Sequence, residues 1–333
     1  MKYIEAMKDG FLLINRHWPL VLIQVGMMFI SIIGFFIIVG IPLAIAFIIF
    51  GIDLTELTHL KDIFRILSGP SDLLSKYIGL ILIVLASFIL YFLMVTMLGI
   101  YVFGGSIGVI GRAIRDKTRK FTSRAFLEEG KRLFLRMLGF TSVIGVILIV
   151  VFFILGIFGG GVASLISYAQ SMDSTIALFL VTFFSLIIVM MAFTLILGII
   201  SVTLYGFASL YFKGTGAFKS ISEAVKFLVR YPNGFWLYTV LFIGYLVASF
   251  FLGLISYPFT LVPIIGAFFS FPFMSYLFQT YLGLVIIAII FSYYYAKEFG
   301  EEPVQPVAES PQAATTEQEE QAPPDSPTSL INL

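Results

Sequence analysis

The chain has no cysteine, which excludes disulfides, thiol nucleophiles and cysteine-bound metals. Charge is scarce: Asp, Glu, Lys and Arg together make 12% of 333 residues, and the only histidines are His17 and His59. Where the charge is missing matters more than its total. Six apolar runs, at about 18–50, 77–110, 137–168, 174–212, 233–256 and 273–296, contain no Asp, Glu, Lys, Arg or His. Proton relays, ion-coupled transport and intramembrane metal sites depend on such groups. A charge at the bilayer centre costs about 2.5–3.5 kcal/mol, so one that is retained there usually has a task. Their absence argues against a pump and against an intramembrane metalloprotease.

What fills the chain instead is hydrocarbon. It is 59% hydrophobic with 37 Phe, and its mean hydropathy is +1.04. Each run exceeds the 18 residues that mark a transmembrane helix. The predicted fold class is all-α, an integral membrane bundle of six transmembrane helices over residues 1–297. The first run is 33 residues, roughly 50 Å as a helix, which overshoots a hydrocarbon core of about 30 Å. Gly40-Ile41-Pro42 is expected to kink or end it. That run is too long for a signal-peptide core, and Lys2 to Arg16 is too long and too mixed in charge for its leader, so the first helix is expected to be retained.

The charges then sort by side. Six spans place the N-terminus, 111–136, 213–232 and the C-terminus together, and that side holds 17 of the 20 Lys/Arg. Lys61, Arg65 and Lys76 lie on the other. The positive-inside rule predicts a cytoplasmic-membrane protein with both termini in the cytoplasm. Residues 52–76 then face outward; Asp53-x-x-Glu56 resembles a capping box, and Leu54, Leu57, Leu60, Phe64 and Leu67 recur at helical spacing up to Gly69-Pro70, which predicts an amphipathic surface helix. Residues 257–273 are apolar but broken by Pro258, Pro263 and Pro272, which fits a re-entrant or interfacial segment. Residues 298–333 form an acidic, Pro-rich tail expected to be disordered and cytoplasmic.

A threefold repeat is also visible. Gly10-Phe-Leu-Leu-Ile-Asn-Arg16, Gly130-Lys-Arg-Leu-Phe-Leu-Arg136 and Ala224-Val-Lys-Phe-Leu-Val-Arg230 each run from a small residue to an arginine and open into an apolar run. Ser220-x-x-Glu223 is a candidate capping box for the third. The second spans carry Leu98-Gly99-Ile100, Leu197-Gly198-Ile199 and Leu282-Gly283-Leu284, each followed by a base: Arg112, Lys213 and Lys297. The predicted unit is an amphipathic helix plus a hairpin, at approximately 1–110, 111–213 and 214–297. On GFLLINRHWPLVLI, GKRLFLRMLGF and AVKFLVRYPNGFWL the chain resembles polytopic prokaryotic membrane proteins, and among named families the membrane domain attached to some glycerophosphodiester phosphodiesterases. The resemblance covers about 1–297. The catalytic barrel of that family is a separate soluble domain, so the resemblance implies a membrane domain and no catalytic residue.

No catalytic, cofactor-binding or metal-ligating residue is predicted. His59 and Asp62 are too few for a metal and read as a solvated helix face. FGGSIGVIG at 103–111 sits at the end of a membrane helix, not between a strand and a helix, so it is no dinucleotide fingerprint. Gly104-x-x-x-Gly108 and Gly156-x-x-x-Gly160 instead predict close helix packing. Gln24, Ser142, Ser185, Thr194 and Ser201 are expected to bond between helices. The densest charge lies at 111–136, with nine bases and three acids. A short loop pinned by two spans does not suit nucleic acid; an interfacial helix on anionic lipid does, at about 1 kcal/mol per well-placed base. Arg16, Arg112, Arg115, Lys117, Arg119, Lys120, Arg124, Lys131, Arg132, Arg136 and Arg230 are the candidate contacts to inner-leaflet headgroups. The expected partners are membrane lipids, chiefly anionic ones, and a protein partner not identifiable from sequence. The expected role is a non-enzymatic membrane-embedded structural or partner-binding module. The alternative is a transporter or lateral lipid-handling protein that uses no coupling charge.

Overall fold

A computed structural model describes residues 3–55, 70–172, 174–260 and 271–300. Among the described residues the fold is entirely helical. Helix α1 is Tyr3–Arg16; α2 is Pro19–Phe35; α3 is Ile41–Thr55; α4 is Pro70–Arg115; α5 is Ser123–Met172; α6 is Ser174–Phe212; α7 is Ala217–Arg230; α8 is Pro232–Thr260; α9 is Phe271–Phe299. Among the described residues six stretches are long and apolar enough to cross a membrane: Pro19–Phe50, Tyr77–Arg115, Ser123–Ser171, Ser174–Phe212, Pro232–Ile255 and Phe273–Phe299.

The first span corrects an expectation. Pro42 does not end it, because α2 and α3 join through a π-helical turn at Phe36–Gly40. The Ile41 N–H donates to the Phe36 carbonyl, five residues back. Widening that turn makes room for a proline ring that clashes with an ordinary helical turn and offers no N–H. Two capping expectations also change. Asp53 opens no helix, since α3 runs through it to Thr55, while Pro70 stands at the first position of α4, where its missing N–H costs nothing. Helix α7 starts at Ala217 with Gly216 as its cap, so Ser220 is an interior, buried residue whose hydroxyl pairs with that of Thr215 at 2.7 Å. The rest of the expected surface helix at 56–69, His59 and Asp62 included, most of the expected re-entrant segment, and the tail from residue 301 lie outside the described residues.

The packing follows a regular order. Helix α1 lies on α9, the first turns of α5 lie on the end of α4, and α7 lies on α6. The spans α4, α6 and α9 also touch one another. Buried apolar residues gather where these three meet, joined by Phe140 of α5, at the end of the bundle that carries the bases: Ile107 and Ile110, Tyr205 and Leu210, Phe291 and Tyr294. Phe212 stacks on Tyr294 with centroids 6.3 Å apart, and Phe227 packs tilted against Tyr205 at 5.0 Å. Away from this end the spans face outward on nearly every side. Among the described residues from Val146 to Ile196 only Val162, Ala169 and Ala177 are buried. A membrane allows this, because helices satisfy their own backbone and lipid solvates their side chains. The polar residues of the spans agree. Gln24 donates to Ser106 across α2 and α4 at 3.0 Å. Ser142 and Thr194, expected to bond between helices, donate instead to the carbonyls of Leu138 and Met190 in their own helices, a local route open to any helical hydroxyl.

Candidate functional site at the basic end of the bundle

The α4–α5 connection is built around Asp116. Its carboxylate accepts from the Thr118 hydroxyl at 2.6 Å, the Thr118 N–H at 3.1 Å and Arg119 Nε at 3.1 Å. These bonds, the Thr118 hydroxyl first, hold the Asp116 carboxyl below its ordinary range. The turn presents the Arg119 carbonyl to the end of α1. Arg16 donates to it at 3.2 Å, and His17 Nε2 lies 3.2 Å away. His17 is buried, with Nδ1 2.9 Å from the Leu13 carbonyl. The loop and α1 are thus fixed to each other.

Each helix that opens a hairpin also carries an acid just before its small residue: Asp9 before Gly10, Glu129 before Gly130 and Glu223 before Ala224. Every one meets a base. Lys117 donates to Asp9 at 3.0 Å. Glu129, fully buried, lies 2.5 Å from Arg112 Nε and 2.6 Å from Arg132 Nη2. The Arg132 contact is ionic and is not aligned as a hydrogen bond, since Glu129 Oε2 accepts none. Lys213 donates to Glu223 at 2.9 Å and to Glu298 at 3.0 Å. Burial disfavours the Lys213 ammonium, but the hydrogen bonds to Glu223 and Glu298 outweigh it and hold its pKa above the usual lysine value. The hydrogen bond from Lys213 likewise holds Glu223 below the usual carboxylate range. Sequence reasoning missed these acids as a set, although an acid one position ahead of each small residue was readable.

The eleven candidate headgroup contacts divide by partner. Arg112 and Arg132 serve Glu129. Arg115 donates to the Phe212 carbonyl at 3.1 Å and lies over the Tyr211 and Phe212 rings at 5.6 and 5.4 Å. Lys117, Arg119 and Arg124 are exposed and paired with Asp9, Asp116 and Glu128. Arg16 binds a carbonyl, and Arg230 lies 4.0 Å from Glu298. Lys120, Lys131 and Arg136 are exposed and have no ion pair or hydrogen bond among the described residues.

The glycines divide too. A Cβ added at Gly104 would lie 3.1 Å from Met137 Sδ, and one at Gly108 would lie 2.3 Å from the Glu129 Cβ. At Gly156 and Gly160 it would meet nothing within 4 Å. The close packing expected at Gly156 and Gly160 therefore has no partner helix within the described chain, because the outer stretch of α5 is open to its surroundings.

Two hollows adjoin the basic groups, and a third lies toward the other end of α4. A cleft of about 700 Å³ lies between α1 and the ends of α4 and α9, lined by Asp9, Leu12, Leu13, Arg16, Lys117, Tyr295 and Gly300 among others. It shares Ala113 with a hollow of about 220 Å³ bordered by His17, Arg112, Arg119 and Lys120. An apolar cleft of about 630 Å³ opens between α3 and α4, from Leu43 and Phe47 to Tyr77 and Phe88. Among the described residues no three His, Asp or Glu side chains cluster to hold a metal. No family model matches the chain, and neither does a curated protein or a solved structure.

Proposed function

We propose that the chain is a non-enzymatic module of the cell membrane that rests its basic end on the inner leaflet and holds anionic lipid headgroups there. The observation that carries this is the trio Lys120, Lys131 and Arg136, exposed bases left without an acid among the described residues, on a face whose other bases are mostly engaged. Helix α7 supports it. Ser220, Ala224 and Phe227 face the core, Phe218, Val225 and Val229 are exposed apolar residues, and Lys219, Lys226 and Arg230 form a third, basic stripe. Such a helix suits the interface between acyl chains and headgroups. In this reading both termini are cytoplasmic, and reporter fusions at Thr118, Gly214 and the C-terminus all report the cytoplasm; an external signal at any of them refutes the orientation.

The chain is further read as three copies of one unit. What supports this is the cyclic order of packing, in which each opening helix sits on the second span of the preceding unit and α1 on that of the last. The burial of Ala6 and Gly10, Phe126 and Gly130, and Ser220 and Ala224 at matching positions adds to it.

The test is lipid retention after gentle extraction from membranes containing phosphatidylglycerol, read by native mass spectrometry. The triple variant K120Q/K131Q/R136Q is expected to lose retained anionic lipid while keeping parental helicity and melting temperature. Unchanged retention refutes headgroup binding through these bases. A second reading, lateral lipid handling, draws on the apolar cleft between α3 and α4; it expects zwitterionic lipid to be retained equally by the parent and the triple variant.

A further inference from the structure

The cleft at the basic end has features that lipid binding does not use. It is lined by Gly300, the last residue described before the tail. Arg16, Lys117 and Asp9, the last paired with Lys117 at 3.0 Å, carry its charge, and Leu12, Leu13, Ile114 and Tyr295 form an apolar wall. The 33 residues that follow Gly300 contain seven acids and no Lys or Arg. They begin Glu301-Glu302-Pro303-Val304-Gln305-Pro306-Val307. The acids therefore enter where the bases are. In a polyproline II helix, with three residues per turn and about 3.1 Å rise, Val304 and Val307 fall on one face roughly 9 Å apart. Aromatic and apolar grooves recognise proline-rich segments of this kind, because little conformational freedom is lost on binding.

We infer that residues 301–307 of this same chain occupy the cleft, with Glu301 and Glu302 against Arg16 and Lys117 and with Val304 and Val307 on the Leu12–Tyr295 wall. The two bases of the cleft outnumber its one acid, Asp9, and this surplus and tethering both favour this occupant over a partner from solution. A tether of a few residues gives an effective concentration in the millimolar range, so even a weak contact is populated. The tail then screens part of the basic face from anything else that is acidic. The bases proposed for headgroups, Lys120, Lys131 and Arg136, do not line this cleft, so the two readings succeed or fail separately.

The absence of cysteine makes the test direct. In the full-length protein in bilayers, L12C and V304C form a disulfide under mild oxidation; Leu12 is 57% exposed, so its replacement leaves the core intact. E301K/E302K in that background is expected to slow cross-linking at least tenfold, as is high salt. Cross-linking unaffected by both would show that tethering alone brings the residues together, and would overturn the inference. With L12C alone, deletion of 301–333 is expected to raise the rate of maleimide labelling several-fold. An unchanged rate overturns the inference. So does protection of the introduced thiol that survives the deletion and vanishes only in zwitterionic bilayers, since the cleft would then hold a lipid.

Discussion

The replacement Gly108→Ala tests whether the basic end is the stabilising centre of the fold. The added methyl would lie 2.3 Å from the Glu129 Cβ, 2.7 Å from its Cγ and 2.9 Å from Oε2. The first of these atoms is fixed to the α5 backbone and cannot swing aside. Restoring an ordinary carbon contact of about 3.5–4.0 Å requires α4 and α5 to part by roughly an ångström or more. Overpacking of this kind costs about 1–3 kcal/mol. The movement also stretches the bond from Arg112 Nε to Glu129 Oε1, now 2.5 Å. Breaking a buried pair costs about 3–5 kcal/mol, and roughly half of that applies here because Arg112 is partly hydrated and can follow the carboxylate. The expected loss is about 3–5 kcal/mol in all, enough to be diagnostic for a single methyl. Gly156→Ala and Gly160→Ala are the internal controls. Their methyls meet nothing, and alanine suits a helix interior better than glycine by about 0.5–1 kcal/mol. Thermal unfolding of all three in one detergent, followed by loss of the monodisperse peak, should place Gly108→Ala well below the parent and the controls at or slightly above it. A parental melting temperature for Gly108→Ala would refute the packing argument, as would a large loss in either control.

Two further outcomes concern ion pairs. Glu129→Gln leaves Arg112 beside a neutral amide and is expected to cost about 1–3 kcal/mol, whereas Arg132→Gln removes a half-exposed partner and is expected to cost under about 1 kcal/mol; equal losses would contradict the central place given to the Arg112 contact. The Lys213–Glu223 coupling, measured by a K213M/E223Q double-mutant cycle, depends on pH in a definite direction. Glu223 is depressed below its ordinary 4.5, so its contribution is complete above that value and lost as pH falls through the lower, folded-state value. Lys213 is raised above 10.5, so its contribution is complete below that value and lost only at still higher pH. The coupling should be flat from about pH 5 to 10 and fade on acidification below the ordinary glutamate range; fading near neutrality would rule it out.

Long periodic features were legible in the sequence. Runs without ionisable residues fix helices as the spanning elements, since only a helix or a closed barrel satisfies a backbone in lipid. What resisted reading was decided by tertiary partners. Gly104-x-x-x-Gly108 and Gly156-x-x-x-Gly160 have the same spacing, yet Met137 and Glu129 crowd the first pair and none of the described residues faces the second. Gly105, Gly111 and Gly206 follow no such motif, although added Cβ atoms there would fall within 2.7, 2.1 and 2.5 Å of Phe126, Tyr211 and Phe140. Spacing says that a helix has a flat side and leaves open which neighbour uses it. Pro42 is similar: the sequence announces a defect, and the choice between a break and a π-turn falls to the packing on either side.

The same distinction accounts for much of the charge at 111–136. Positive-inside topology requires far fewer than nine bases, and lipid was the natural explanation for the excess. The structure gives several of them internal work. Arg112 and Arg132 flank one buried carboxylate. Arg115 closes the last carbonyl of α6, a group that has no partner within its own helix, and spreads over the rings of Tyr211 and Phe212. Arginine suits that position because its planar guanidinium donates and stacks at once, which a lysine ammonium does not. The stretch therefore joins the end of α4 to α5 and α6 from the aqueous side, where ionised groups are cheap, and leaves the apolar spans free of charge. Lys120, Lys131 and Arg136 are the part of the excess that this internal work does not consume, and a headgroup interaction has to be sought on those three before the others.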